Sequence, residues 1–274
     1  MKLSLILPSL FPAAIQRTID NLQATTRGVD YEILAVTPFE VGGPNVRWIR
    51  EEAPKGAVRA HIAAYESMSG DILVALSDDV ILADNWAAIA LANLERREVA
   101  GTPFGLGLHQ TNFISGTVFG IYFPFFIVVR KVVLDVVGYY TDPEYIAYLA
   151  DADLGLRIWH AGGRCERTEL PLISRVPRPG KEDVDPATKS STAQVKDVRR
   201  FTERWAPIYG RGWPIADLND FNLDIDALFE VVVGNDYSIF LNDPVFKRLY
   251  ANYGRNAAHW NLSGPGVSPP KSAA

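Results

Sequence analysis

Cysteine is nearly absent from this chain of 274 residues, which has one cysteine, Cys165, and four histidines. A single cysteine cannot form a disulfide within the chain, and the scattered histidines do not have the spacing of a structural zinc site. A disulfide scaffold and a zinc-stabilised fold are therefore excluded, and a reducing, cytoplasmic location is favoured.

Basic charge is also scarce, since 27 Lys and Arg against 32 Asp and Glu give a net charge of −5. A protein that wraps nucleic acid needs a basic surface, so we predict no nucleic-acid partner. The most apolar run, Val118 to Val129, contains Pro124 and falls well short of the roughly 20 residues that cross a bilayer. We therefore predict no membrane span, although a hydrophobic content of 48% provides for a substantial core.

The most informative stretch runs from Gly70 to Asp79, where an apolar run stops at two adjacent carboxylates. This pattern predicts a buried strand, and sheets of this kind bind ligands outside the carboxyl ends of their strands. Asp78 and Asp79 would then diverge at that edge, so that one can meet a metal ion and the other a ligand hydroxyl. Alternatively, the pair only ends the strand before a helix that Asp84 caps.

Strands and helices alternate along the first half of the chain, which predicts right-handed crossovers. The fold class is therefore α/β, with a Rossmann-like, mostly parallel sheet flanked by helices. We predict strands at 3–7, 31–36, 46–49 and 70–79, strand-like sequence over 113–129, helices near 15–22, 57–69, 84–94 and 130–137, and a loop at 101–107.

A second acidic cluster begins at Asp151 and opens a predicted helix that ends at Gly162 and Gly163. Aspartate is a favoured N-cap residue, and Asp153 in the first turn suits the helix dipole. On local grounds alone, the cluster therefore has a purely structural explanation.

The composition changes after Pro171, which predicts three regions: a main domain over 1–175, a loop and helical extension over 176–262, and a disordered tail over 263–274. Within the C-terminal helical extension, amphipathic segments are predicted around 195–205, 225–233 and 244–253.

Several of these features together resemble family 2 glycosyltransferases of the A-type, nucleotide-diphospho-sugar transferase fold. They are the first strand ending at Pro8, the helix between Gly56 and Gly70, the strand ending Ser77-Asp78-Asp79, the phrase Arg130 to Tyr139, and the phrase Asp151 to Arg157. The resemblance covers roughly residues 2 to 175.

The resemblance implies transfer of a sugar from a nucleotide-diphosphate donor, with a UDP-sugar favoured, to a glycan or other acceptor hydroxyl with inversion. It implies that Asp79 binds a divalent cation, Mn²⁺ or Mg²⁺, that Asp78 contacts the ribose or sugar, and that Asp151 is the catalytic base. Apart from the resemblance, the basic loop from Arg175 to Lys181 is expected to place a basic residue over the diphosphate after the donor binds, and the alternative is a flexible charged loop without a ligand role.

The candidate donor-binding residues are Pro8, Ser9, Thr37, His61, Ser77 and Asp78, and further candidates are Asp153, Arg175, Lys181 and Trp205, with Trp205 and Trp213 as stacking platforms for the acceptor. The chain departs from the family pattern at Thr37, His61-Ile62, Ser77 and Ala150. Because Thr37 replaces an acidic residue that contacts the base, we expect modest selectivity between nucleotides.

Two other functions remain open at this point. A nucleotidyltransferase would also use a Rossmann-like sheet with carboxylates at strand ends, but the segment Leu7 to Pro12 is not a glycine-rich, basic phosphate loop. A non-catalytic relative that binds a glycan or a partner protein is the stronger alternative, because several motif positions are altered.

Overall fold

The computed structural model describes residues 1–111, 117–118, 121–179 and 191–209. The elements in chain order are β1 (Lys2–Pro8), α1 (Pro12–Thr25), β2 (Asp30–Thr37), β3 (Val46–Arg50), α2 (Ala57–Ser67), β4 (Ile72–Ala75), β5 (Val80–Leu82), α3 (Trp86–Arg97), β6 (Phe104–Gln110), β7 (Thr117–Val118), β8 (Ile121–Tyr122), β9 (Ile127–Arg130), α4 (Lys131–Val136), α5 (Ala150–His160), β10 (Arg164–Arg175) and α6 (Ser191–Tyr209).

The main sheet has the strand order β3-β2-β1-β4-β9-β6-β10-β5, and β7 pairs with β8 beside it. Strands β3, β2, β1 and β4 are mutually parallel, and β10 is parallel to β6. Strand β9 is antiparallel to both β4 and β6, and β5 is antiparallel to β10. The parallel strands therefore all end at one edge of the sheet, and the predicted mostly parallel α/β sheet is confirmed.

Helices cover both faces of the sheet. Side chains alternate along each strand, so each strand contributes apolar residues to both faces. Leu3, Leu5 and Leu7 of β1 pack in one core cluster with the apolar stripes of α1 and α3. Ile6, between them, packs on the opposite face with residues of α2, α4, α5 and α6. The strands thus read as nearly continuous apolar runs, as expected for a sheet buried on both sides.

The prediction of a loop at 101–107 is wrong, because β6 begins at Phe104 and runs through the sheet. The glycines that suggested a loop serve close packing instead. A Cβ atom at Gly107 would overlap the Tyr122 hydroxyl, and one at Gly105 would press on Ile127 and Ile158. Strand β10 was likewise not predicted, because charged and polar residues interrupt its apolar pattern.

The predicted N-caps Asp84 and Asp151 are also wrong, because each helix begins next to a residue in the left-handed region. Asn85 (φ 56°) precedes α3 and Leu149 (φ 61°) precedes α5, and within the described part of the chain neither N-cap residue makes a side-chain capping hydrogen bond. Asp151 lies within the first turn of α5, one residue after the helix begins.

Beyond β10, the predicted segment 195–205 lies inside α6, whose Phe201 and Trp205 are buried in the same cluster as α5. The predicted segments 225–233 and 244–253, the tail 263–274, Lys181 and Trp213 lie outside the described residues. Among the helices that are described, none has the length and apolar character needed to cross a membrane.

Candidate functional site

An acidic turn, Ser77-Asp78-Asp79, follows β4 at the edge where the parallel strands end. Asp78 is buried, and one of its carboxylate oxygens accepts a hydrogen bond from the Ser9 hydroxyl after β1. The Ser77 hydroxyl donates to Asp79 Oδ1. The structure therefore brings four of the predicted site residues together, with Ser9 against Asp78 and Ser77 against Asp79.

Arg178 also belongs to this cluster. The sequence predicted only that some basic residue between Arg175 and Lys181 would lie near the diphosphate. Its Nε lies 2.6 Å from Asp78 Oδ1, and its Nη2 lies 3.4 Å from Asp79 Oδ2. The reason is topological: β5 pairs with the end of β10, which lays the chain after Arg175 along the acidic turn. The basic residues between Arg175 and Lys181 were the sequence signal for this contact.

The environment of Asp79 favours its charged form. Burial raises the pKa of Asp79, but the Ser77 hydroxyl and the charges of Arg178 and Arg175 outweigh it, so that the pKa is lower than usual. A carboxylate held ionised by nearby cations suits a place where positive charge binds.

A cavity of about 150 Å³ opens at the same edge, between the start of α2, the start of α5 and the segment before β9. Its lining is largely apolar, and its polar groups are His61, Tyr140, Thr141 and Asp151. Ala75 at the end of β4 also lines it, so the cavity lies close to the strand that leads into the acidic turn. A small ligand with a few hydroxyl groups suits this combination.

Asp151 has the opposite environment to Asp79. Burial raises the pKa of Asp151 to about 6, against the opposing effect of hydrogen bonds from Ala152 N–H, at 2.9 Å, and from its own N–H. The charge of Arg175 also acts on Asp151, as it does on Asp79. The two carboxyl groups that the sequence singled out therefore share one basic neighbour.

The other polar groups of the cavity differ in whether they have partners. The Tyr140 hydroxyl and His61 Nδ1 are hydrogen-bonded at 3.0 Å, and burial lowers the pKa of His61 to about 4, so that the ring is neutral at pH 7. The hydroxyl of Thr141 is buried and has no hydrogen-bond partner among the residues that the structure describes. A buried hydroxyl without a partner costs free energy unless a ligand supplies one.

Helix α6 holds the loop that forms one wall of the cavity. Asp197 is fully buried and accepts hydrogen bonds of 2.8 Å from the backbone N–H groups of Ile146, Ala147 and Tyr148. Asp142 in the same loop pairs with Arg200 of α6 at 2.9 Å. No local pattern in the sequence predicts these contacts, because they join residues about fifty positions apart.

Asp153 and Trp205, two of the predicted site residues, lie in the core between α5 and α6. Asp153 is fully buried and pairs with Arg157 at 2.8 Å, and it accepts a hydrogen bond of 3.0 Å from Trp205 Nε1. Trp205 is 2% exposed. This placement gives neither residue a face toward a ligand, and the predicted stacking role of Trp205 finds no support in it.

The predicted donor-binding residues Pro8 and Thr37 lie at the ends of β1 and β2. Thr37 is fully buried, and its hydroxyl donates to the carbonyl of Phe39. Its carbonyl accepts a hydrogen bond of 3.3 Å from Trp48 Nε1. Thr37 therefore shapes the turn after β2, and its hydroxyl is already in use.

No family model matches this sequence, and no curated protein sequence matches it. Solved structures do resemble the fold. The structure of GalNAc-T7 with UDP, GalNAc and Mn²⁺ superposes with a TM-score of 0.60 at 15% identity, over 92% of this chain and 58% of that one.

Two further structures show the same likeness. A Pyrobaculum calidifontis mannosyltransferase with GDP-Man and Mn²⁺ has a TM-score of 0.51 at 14% identity, over 95% of this chain and 77% of that one. Residues 1–349 of S. aureus TarS with UDP-GlcNAc give 0.55 at 12% identity, over 96% and 76%. The chain thus has the glycosyltransferase A-type fold, and it spans little more than half the length of the GalNAc-T7 chain.

Proposed function

We propose that this protein is a glycosyltransferase that moves a sugar from a nucleotide-diphosphate donor to an acceptor hydroxyl. One observation carries the proposal. A single edge of an A-type fold holds Asp79, whose pKa is lowered, and Asp151, whose pKa is raised to about 6 at the wall of a cavity. Carboxyl groups with divergent pKa values at one site are typical of a division between charge stabilisation and proton transfer.

The acidic turn is the proposed place for the donor diphosphate and a divalent cation. Asp79 and Asp78 supply oxygen ligands of the kind that Mn²⁺ and Mg²⁺ prefer, and the guanidinium of Arg178 lies against both carboxylates, which supports a place for positive charge there. Within the described residues, no cluster of three or more His, Cys, Asp or Glu could hold a metal. A cation would therefore also depend on phosphate and water oxygens, and when bound it would stabilise the charge of the leaving diphosphate.

Asp151 is the proposed general base. With a pKa of about 6 it is mostly ionised at pH 7, and it is a stronger base than an ordinary aspartate. Its position at the cavity gives an acceptor hydroxyl a place to bind, and the free hydroxyl of Thr141 offers that ligand a hydrogen bond. A base of this kind contributes roughly 10²–10⁴-fold to the rate. One base acting on the incoming hydroxyl also favours inversion at the anomeric carbon.

We propose a UDP-sugar as the donor, supported by the family resemblance and by UDP or UDP-GlcNAc in two of the similar structures. Ser9 and Ser77 support the donor indirectly in this proposal, because their hydroxyls orient Asp78 and Asp79. The neutral pair of His61 and Tyr140 lines the cavity in which the sugar or the acceptor binds.

Calorimetric titration with UDP, with and without Mn²⁺, tests the donor site. We expect Mn²⁺ to strengthen UDP binding to the native protein and to have almost no effect on Asp79→Asn. Asp84→Asn is the matched control, because it removes the same charge from an exposed position outside the site. An Asp79→Asn protein that binds UDP with native affinity and native Mn²⁺ dependence would exclude this site.

A non-catalytic role in binding a glycan or a partner protein is the second candidate. The observation that favours it is the contact of Arg178 with both carboxylates of the acidic pair, which offsets part of the negative charge that a cation would use. Hydrolysis of UDP- and GDP-linked sugars in the presence of Mn²⁺ separates the two functions. Slow release of UDP or GDP above the uncatalysed rate supports the enzyme, and its absence across the panel supports the binding protein.

A further inference from the structure

Residues 175–178 are fixed alongside the acidic turn by backbone contacts. The N–H of Val176 donates to the carbonyl of Asp79 at 2.8 Å. From α1, Arg17 donates to the carbonyl of Pro177 at 2.8 Å and to that of Asp78 at 3.3 Å. Arg17 thus links the segment to the turn, and this holds the side chain of Arg178 over the two carboxylates.

Arg178 occupies a position that is largely shielded from water. Its side chain is 19% exposed, and the side chains of Asp78 and Asp79 are 4% and 17% exposed. The guanidinium also lies over the ring of Phe11, at 5.3 Å from the ring centre. Charge-assisted hydrogen bonds at partly buried positions are stronger than those between neutral groups, so Arg178 is a substantial counter-ion for the pair.

Each carboxylate oxygen of the pair has a polar neighbour. On Asp78, Oδ2 accepts from Ser9 and Oδ1 from Arg178. On Asp79, Oδ1 accepts from Ser77, and Oδ2 faces Arg178 at 3.4 Å. A divalent cation bound to Asp79 Oδ2 would lie close to the guanidinium of Arg178, and two positive charges at such a separation repel each other.

We propose that Arg178 is a resident counter-ion that competes with the divalent cation for Asp78 and Asp79, and that it moves to the donor diphosphate when the cation binds. This inference rests on the proposed function. A guanidinium that loses its carboxylates at a poorly hydrated position needs another anion, because an unpaired buried charge is costly. A diphosphate supplies one, and its oxygens match the planar fork of arginine.

Two consequences follow for binding. Without a nucleotide, the cation binds weakly, since it must displace Arg178 and nothing else compensates the guanidinium. With a nucleotide, cation and diphosphate strengthen each other's binding, because the diphosphate receives the displaced arginine. Reciprocal coupling of this kind is commonly 5- to 150-fold, as an order of magnitude.

The test uses Arg178→Gln and two titrations. The first follows Mn²⁺ binding without nucleotide, through the loss of the paramagnetic resonance signal of free Mn²⁺. The second measures UDP affinity at saturating Mn²⁺. We expect Arg178→Gln to bind Mn²⁺ roughly tenfold more tightly in the first and UDP roughly tenfold more weakly in the second.

Two further variants serve as controls. Arg27→Gln makes the same charge change at an exposed residue after α1, at the opposite end of that helix from the site, and should leave both titrations unchanged. Arg178→Lys keeps the positive charge and should retain the weak Mn²⁺ binding of the native protein, which also covers the case in which Arg178→Gln does not fold.

The outcomes separate this inference from the proposed function. Unchanged or weaker Mn²⁺ binding by Arg178→Gln overturns the competition, and unchanged UDP binding at saturating Mn²⁺ overturns the move to the diphosphate. If Arg178→Lys binds Mn²⁺ roughly tenfold more tightly than the native protein does, the competition is likewise overturned. A native protein that binds neither Mn²⁺ nor UDP overturns the inference and the proposed donor site together.

Discussion

The first turn of α5 carries two carboxylates, two residues apart, in opposite surroundings. On the side facing α6, Asp153 is fully buried and has Arg157 at 2.8 Å, Trp205 at 3.0 Å and Arg204 at 3.3 Å. On the side facing the cavity, burial raises the pKa of Asp151 to about 6. Asp153 is thus surrounded by ionic and hydrogen-bonding partners, whereas Asp151 is a stronger base than an ordinary aspartate.

The difference separates polar groups that have partners within the fold from polar groups that are available to a ligand. A carboxylate whose partners are complete uses its hydrogen-bonding capacity within the fold. A carboxylate that is desolvated with few partners is poised to accept one. Two threonines differ in the same way. The Thr37 hydroxyl donates a hydrogen bond to the carbonyl of Phe39, whereas the Thr141 hydroxyl has no partner among the described residues.

The largest effect is expected for Asp153→Asn. It leaves the charge of Arg157 without its carboxylate, and breaking a buried ion pair on one side costs about 3–5 kcal/mol. In a domain of this size that corresponds to a melting temperature lower by roughly 6–20 °C. Thermal and urea unfolding measure it.

Asp20→Asn is the control for this prediction. Asp20 is exposed on α1 and accepts a hydrogen bond from Gln16, so its substitution should change the free energy of unfolding by less than about 0.5 kcal/mol. Equal stability of Asp153→Asn and the native protein would show that the two carboxylates of α5 do not differ as described.

Thr141→Val should stabilise the protein by about 1 kcal/mol, because it removes a buried hydroxyl that has no partner. Thr168→Val is the opposite control: its hydroxyl accepts from His109 N–H at 3.0 Å and donates to the carbonyl of Leu170, so its loss should cost about 1–3 kcal/mol. Urea unfolding compares the two variants.

The same Thr141→Val protein should turn over substrate about tenfold more slowly if the hydroxyl binds a ligand in the cavity. If the variant is less stable than the native protein, or equally active, the hydroxyl of Thr141 has a structural role and does not bind a ligand.

The smallest effect is expected for Thr37→Val. Because its hydroxyl already donates to Phe39, removing it should shift the preference between UDP and GDP by less than about threefold, roughly 0.6 kcal/mol. The native preference itself is expected to stay below about a thousandfold, near 4 kcal/mol. Competition titrations with the two nucleotides check both values, and a larger shift in the variant would mean that Thr37 reads the base.

Local sequence patterns predicted most of the first half of the fold, because buried strands and amphipathic helices have clear periods. The apolar run that stops at Asp78 and Asp79 placed the acidic turn correctly. The pattern failed at β6, where Gly105 and Gly107 permit close packing rather than a turn.

The parts of the site that could not be predicted depend on contacts between distant residues. Arg178 reaches Asp78 across one hundred positions, and Asp197 binds the loop at Ile146 across fifty-one. Periodicity carries no information about such pairs. The same limit applied to Asp153 and Trp205, whose mutual contact at 3.0 Å turns two candidate ligand residues into core residues.

The proposed role of Asp151 as the base of a glycosyl transfer is tested most directly by the pH dependence of donor turnover. The native rate with Mn²⁺ and an accepted UDP-sugar should fall as pH decreases through about 6, because protonated Asp151 cannot accept a proton. Asp151→Asn should lose at least about a hundredfold in rate and lose that acidic limb. It should keep nucleotide affinity, and its stability at pH 7 should not fall, since the substitution removes a desolvated charge. An Asp151→Asn protein with the native rate and the native pH profile would contradict the claim.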